Sequence, residues 1–211
     1  MTRNLLTFND SLGVHTFNIP AWSTCPGRTE FCAASCYARK GNFLYGNVIA
    51  GQHARFEDSR LPDFVERMTR EIVRRGVTLL RIHSSGDFYS LTYLEAWREI
   101  ARRCPGTRFF VYTRTWRIPE YRAALDAISE PNLVVWYSTD PSMSTETLAQ
   151  LAGSPRVAYI HDPKIGAYAE DMPAVNCKKQ LDPEKKDCTN CALCWGNRAR
   201  SRGGAVTFHK H

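Results

Sequence analysis

The feature that most restricts the fold is a regular alternation of two hydrophobic patterns along residues 61–160. Leu61, Phe64, Val65, Met68 and Ile72 repeat at three and four residues, which predicts an amphipathic helix over 61–75 with Gly76 as its stop. Val77–Ile82 follows as a short continuous apolar run, the pattern of a buried strand. The pair then recurs. A helix-like Leu91–Cys104, with Leu94, Trp97, Ile100, Ala101 and Cys104 on one face, precedes a strand at Phe109–Tyr112. Helix Ile118–Ile128 precedes strand Leu133–Tyr137, and the short helix Thr145–Leu151 precedes strand Val157–Ile160. With a strand-like Val14–Ile19 ahead of them, these units predict right-handed crossovers onto a parallel sheet. The expected fold is α/β, an incomplete (β/α) barrel of about five units or an open sheet. At 211 residues the chain fits one domain, 1–211, and falls short of the roughly 250 residues of a closed eight-fold barrel.

The segments that follow the strands are polar. Val77–Ile82 runs into His83-Ser84-Ser85-Gly86-Asp87, Phe109–Tyr112 into Thr113-Arg114-Thr115-Trp116, Leu133–Tyr137 into Ser138-Thr139-Asp140, and Val157–Ile160 into His161-Asp162. In parallel α/β folds ligands bind at the carboxyl ends of the strands, so these four segments are expected to converge on one rim.

Composition narrows the class further. Apolar and charged shares of 43% and 23% suit a single globular core and exclude disordered or collagen-like chains. No apolar run reaches the length of a membrane span, and the opening residues are broken by Asn9, Asp10 and Gly13, so they lack a signal-peptide core. The expected location is the cytoplasm, where eight cysteines are better explained by metal or redox chemistry than by disulfides.

Cys188, Cys191 and Cys194 are spaced C-x2-C-x2-C, with Cys177 upstream. Three thiolates in so short a span, closed by a distant fourth, form a ferredoxin-like ligand set for a [4Fe–4S] cluster, while zinc more often takes two separated pairs. Cys25, Cys32 and Cys36 form a second group, C-x6-C-x3-C. Three ligands leave one position of a cubane open, and His15 is a candidate to close it. Cys104, on the apolar face of its helix, reads as a packing thiol. No P-loop, GxGxxG turn or HExxH helix accompanies these cysteines, which leaves phosphate-loop chemistry and zinc hydrolysis without support.

The net charge of +7 is concentrated at the end of the chain: residues 176–211 hold eight Lys and Arg against three Asp and Glu. A basic, cysteine-rich segment next to paired aromatic and arginine residues is a candidate surface for nucleic acid.

The segments TCPGRTEFCAASCYA, RIHSSGDFYSLTYLEAW, FFVYTRTW and CTNCALCW resemble a phage-encoded family catalogued as gene product 88, across almost the whole chain. The CYA ending is also similar to phage proteins related to the radical S-adenosylmethionine enzymes. That resemblance implies a radical-SAM-like partial barrel with Cys25, Cys32 and Cys36 as cluster ligands after the first strand. It also implies Ser85, Gly86 and Asp87 as the turn that meets the methionine amino group of the cofactor. The gaps of six and three depart from the superfamily's C-x3-C-x2-C, so the loop cannot wrap a cluster in the same conformation.

Two functions follow as expectations. One is a phage [4Fe–4S] protein, with one or two clusters on Cys25, Cys32, Cys36, Cys177, Cys188, Cys191 and Cys194, that binds single-stranded DNA through Arg114, Trp116, Arg117, Arg198, Arg200 and Arg202. The other is a radical S-adenosylmethionine enzyme with Thr113, Arg114, Asp140, His161 and Asp162 lining the substrate side of the rim. Both place residues 176–211 on the barrel top and a phage-encoded protein in the host cytoplasm.

Overall fold

A computed structural model describes residues 4–154, 156–162, 174–182, 187–196 and 205–209. The chain enters as a hairpin, β1 (Thr7–Asn9) and β2 (Val14–Phe17), turned by Gly13 at φ 68°. The loop after β2 carries the first three cysteines and a short helix, α1 (Glu30–Ala34), and leads to α2 (Gly46–Ser59) and α3 (Phe64–Arg74). Strand and helix then alternate: β3 (Leu79–Ile82), α4 (Leu91–Arg103), β4 (Arg108–Thr113), α5 (Pro119–Asp126), β5 (Leu133–Thr139), α6 (Thr145–Ala149) and β6 (Val157–His161). The remaining described elements are β7 (Ala174–Asn176), α7 (Lys178–Leu181), α8 (Cys188–Cys191) and β8 (Ala205–His209).

These strands form one sheet in the order β1-β2-β3-β4-β5-β6-β8-β7. Every neighbouring pair is parallel except the β1–β2 hairpin. Among the described residues nothing joins β1 to β7, so the sheet is open. The alternation read from the sequence therefore produces the parallel α/β sheet it predicts. Part of segment 176–211 enters that sheet, with β8 hydrogen-bonded between β6 and β7.

Strand alternation sends side chains to two different cores. Leu80, Ile82, Phe109, Val111, Leu133 and Val157 pack with Met68 and Ile72 of α3 and Leu94, Trp97 and Ile100 of α4. Each such fully buried side chain contributes about 1.5–3 kcal/mol of transfer free energy. On the opposite face, Val14, Leu79, Phe110, Val134, Trp136, Ala158 and Val206 pack with Leu193, and Cys188, Cys191, Cys194 and Trp195 lie partly buried against them. Helices cover one face and the C-terminal cysteine segment covers part of the other. Cys104 is buried in the helical core, as its position on α4 implies.

The boundaries shift where local chemistry differs from the apolar pattern. The helix expected from Leu61 begins at Phe64, because residues 61–63 form the turn that leads into it, and Leu61 is exposed. α2 carries no apolar stripe to be read. The residues it buries are Gln52 and Ser59, while Ile49 stays exposed. Among the described residues no helix is long and apolar enough to cross a membrane.

Candidate functional site

The loop after β2 is fastened to the carboxyl edge of the sheet by buried polar groups. Thr29 caps α1: its hydroxyl accepts from the Cys32 amide at 3.0 Å and donates to the Asp140 carboxylate at 2.7 Å. Asp140, after β5, is fully buried and also accepts from Arg114 Nε at 3.2 Å and from the backbone and hydroxyl of Ser142. Gly27 lies so close to the chain after β4 that a Cβ there would be 2.2 Å from the Arg114 carbonyl oxygen. Arg117 closes the same contact by donating to the Gly27 carbonyl at 3.1 Å.

The turn after β3 holds the beginning of this loop. The Asn18 side chain accepts from the amides of Ser84 and Ser85, and the Ser85 hydroxyl donates to the Ile19 carbonyl at 2.9 Å. Gly86, at φ 86°, approaches so closely that a Cβ would be 2.3 Å from Ile19 and 2.8 Å from the Thr24 hydroxyl. Asp87 accepts from the amides of Phe88 and Arg114 and from the Thr113 hydroxyl at 2.7–2.9 Å. Burial raises the pKa of its carboxyl, and these bonds oppose the shift. Ser85, Gly86 and Asp87 thus spend their polar groups and their close approach on the protein itself, which corrects their assignment as cofactor contacts. Their physical role is to align the cysteine loop with the strand ends.

Cys25, Cys32 and Cys36 are half-buried and unpaired. Burial, with the Asp87 charge beside it, pushes the Cys25 thiol up to about 12. Burial also raises Cys32, against the opposing pull of Arg114. Thiols in this state are poor nucleophiles, whereas a cation among them reverses the sign of their mutual repulsion. Arg114 Nη2, on the guanidinium that acts on Cys32, is sealed from solvent without a hydrogen-bond partner. His15 packs edge-on against Phe8, and its pKa is lowered by burial and by Arg75, so it belongs to the α3 side of the sheet and does not complete this group.

The second set lies on the inner face. The Cys188 amide donates to Leu12 and the Thr189 hydroxyl to Gly13, tying α8 to the β1–β2 hairpin. Trp136 Nε1 donates to the Cys194 carbonyl at 2.7 Å, and Trp195 Nε1 to the Cys188 carbonyl at 2.9 Å. The Cys177 amide donates to Thr207 of β8. Cys177, Cys188, Cys191 and Cys194 are close enough to act on one another electrostatically, and burial first raises Cys188 to about 11 and Cys194 to about 12. Among the described residues no three His, Cys, Asp or Glu side chains form a ready-made ligand shell for a metal ion.

The residues expected to contact nucleic acid are placed differently. Trp116 is 1% exposed, packs against Tyr137 and donates to the Ser138 carbonyl, so its ring offers no stacking face. Arg114 is committed to Asp140, and Arg117 to Gly27. Arg198, Arg200 and Arg202 lie outside the described residues. His161 ends β6, and Asp162 beside it is buried. Thr29, Tyr37 and Tyr112 escaped the sequence reading because single hydroxyl residues carry no periodic signal. Arg81 left one, a charge inside the apolar run VTLLRI.

Fold and site define an open, mostly parallel α/β protein that carries two groups of free cysteines, one at the carboxyl edge of its sheet and one on its inner face. The chain belongs to the Gene product 88 family, which matches residues 2–197. It is 30% identical over 193 residues to the Gene 88 protein of Mycobacterium phage L5, covering 83% of this chain and 79% of the phage protein. The Gene 88 protein of Mycobacterium phage D29 is 27% identical over 194 residues with the same coverage. No solved structure matches the chain.

Proposed function

We propose that this phage-family protein is a [4Fe–4S] iron–sulfur protein on a radical-SAM-like open barrel, and that it acts on S-adenosylmethionine as a radical-type enzyme. The observation that carries this reading is the three-thiol loop Cys25–Cys36 at the carboxyl edge, beside an Arg114 N–H that has no partner within the protein. The donor set fits: three thiols hold a cluster and leave one iron without a protein ligand, and a buried N–H can donate to an anionic sulfur or carboxylate. When bound, such a cluster supplies one-electron chemistry at that open iron. The chain supplies the rest. Thr29 and Asp140 orient Cys32, and Gly27 and Gly86 permit the close approach that brings the loop to the strand ends. Cys177, Cys188, Cys191 and Cys194 would hold a second cluster, for which four thiolates suffice.

Nucleic-acid binding is the second reading, favoured by the excess of positive charge over residues 176–211. It stands behind the first because Arg114 and Trp116 are engaged internally.

The deciding experiment is anaerobic purification with iron, sulfide and zinc analysis, followed by EPR of the dithionite-reduced protein with and without S-adenosylmethionine. Iron and sulfide, a signal altered by the cofactor, and release of methionine and 5′-deoxyadenosine are expected. Replacing Cys25, Cys32 and Cys36 by alanine should abolish that response. A signal indifferent to the cofactor, together with salt-sensitive binding to single-stranded DNA, would favour the second reading. Zinc without iron would overturn both.

A further inference from the structure

Arg81 is the only charged residue of β3 and occupies the strand face shared with Leu79, the face on which Leu193 and the cysteines of α8 lie. Its Nη2 donates to the Tyr37 hydroxyl at 3.3 Å, and Tyr37, the residue after Cys36, donates to the Ser84 carbonyl at 2.5 Å. On its other side the guanidinium stands 5.3 Å from the centre of the Tyr112 ring, whose hydroxyl is hydrogen-bonded to Cys194. Arg81 Nε is sealed from solvent and has no hydrogen-bond partner. Among the described residues no carboxylate stands within ion-pair distance of it.

A guanidinium withdrawn from water is costly without a matching anion, and Arg keeps its charge at any physiological pH. The ionisable groups that face Arg81 are the hydroxyls of Tyr37 and Tyr112 and the thiols of Cys188 and Cys194. Tyrosine hydroxyls are neutral near pH 7, which leaves the sulfur atoms as the source of negative charge. A cation beside an iron–sulfur site stabilises its reduced, more negative form and so raises its potential.

We propose that Arg81 is the shared counter-ion of the two cysteine sites, compensating the C-terminal set through Cys188 and Cys194 and tied to the N-terminal set through Tyr37. The proposal rests on the iron–sulfur reading above. Arg81 acts on the sites as a positioning and tuning residue, and loading either set with a cluster changes the electrostatic surroundings of the other through it.

The test is an EPR-monitored redox titration of anaerobically reconstituted full-length protein, with dithionite as the one-electron reductant. Arg81→Gln should make reduction of the C-terminal cluster about tenfold less favourable, a fall of about 59 mV for one electron, at unchanged iron and sulfide content. Arg81→Lys, which keeps the charge, should restore most of that shift. Tyr37→Phe, at a half-exposed side chain, removes the tether without opening the core and should move the N-terminal potential while sparing the C-terminal one. Wild-type iron content with both potentials unmoved in Arg81→Gln, or in Tyr37→Phe if Arg81→Gln does not fold, would overturn the proposal alone. Wild-type protein that takes up no iron would overturn the iron–sulfur reading and the proposal with it.

Discussion

The two cysteine regions are attached to one sheet by opposite kinds of force. The 25–36 loop hangs from buried polar groups: Asp140 and Asp87 each gather several donors, and Gly27 and Gly86 allow backbone to meet backbone or side chain without a Cβ between. The 188–195 segment is laid on an apolar floor of Val134, Trp136, Ala158 and Val206, with Leu193 as its own contribution and a few indole and amide bonds to hold its direction. Polar networks fail abruptly when one member is lost, because the others are left buried without partners. Apolar contacts fail in proportion to the surface removed. The first region should therefore respond to single substitutions more sharply than the second.

The largest effect is expected at Asp140. Asp140→Ala leaves the Thr29 hydroxyl without its acceptor and Arg114 without its counter-ion, a loss of about 3–5 kcal/mol by urea unfolding. In the folded fraction Cys32 should react faster with a thiol reagent while Cys194 stays protected; equal deprotection of both would erase the distinction between the regions.

Gly27→Ala comes next, at about 3 kcal/mol, because the new methyl group would stand 2.2 Å from the Arg114 carbonyl oxygen. Iron uptake by a protein lacking the C-terminal cysteines should fall with it, and an unaffected loop would show that the contact yields easily.

A pH effect ranks third. Burial, aided by the positive charge of Arg81, lowers the His83 pKa from 6.5 to about 3. The unfolded chain therefore binds the proton more readily, so this contribution to stability is complete above pH 6.5 and is lost as pH falls towards 3, amounting to about 2 kcal/mol at pH 5. His83 also sits at φ 64°, a conformation asparagine tolerates, so His83→Asn should flatten stability between pH 7 and 5. An unchanged slope would assign the acid sensitivity elsewhere.

Trp136→Phe should have the smallest effect, about 1–2 kcal/mol, from the lost bond to the Cys194 carbonyl and a smaller ring. Faster thiol labelling of Cys194 with Cys32 unchanged would be the mirror image of Asp140→Ala and would complete the comparison.

Much of the scaffold was legible because periodicity is a local record of burial. β3, β4, β5 and β6 lie where short apolar runs place them, and α3 and α4 where apolar residues repeat at helical spacing. The hidden elements are those whose burial is not apolar or not local. α2 buries Gln52 and Ser59, and β7 and β8 are three- and five-residue strands that acquire their identity by pairing with each other and with β6. The candidate site divides along the same line. The spacing of the cysteines is visible in the chain, but the turn Ser85-Gly86-Asp87, legible as a polar strand end, proved to be a fastener, which only its partners Asn18, Ile19, Thr24 and Thr113 reveal.

The sequence by itself therefore determined a parallel α/β order, two cysteine groups and a basic end, since each depends on residue type and near-neighbour spacing. Tertiary structure alone decided that Trp116 is packing, that Asp87 and Asp140 serve the loop, and that Arg81 stands between the two cysteine sets. A side chain's charge state and partners are set by groups far along the chain, and only folding brings those groups within hydrogen-bonding distance.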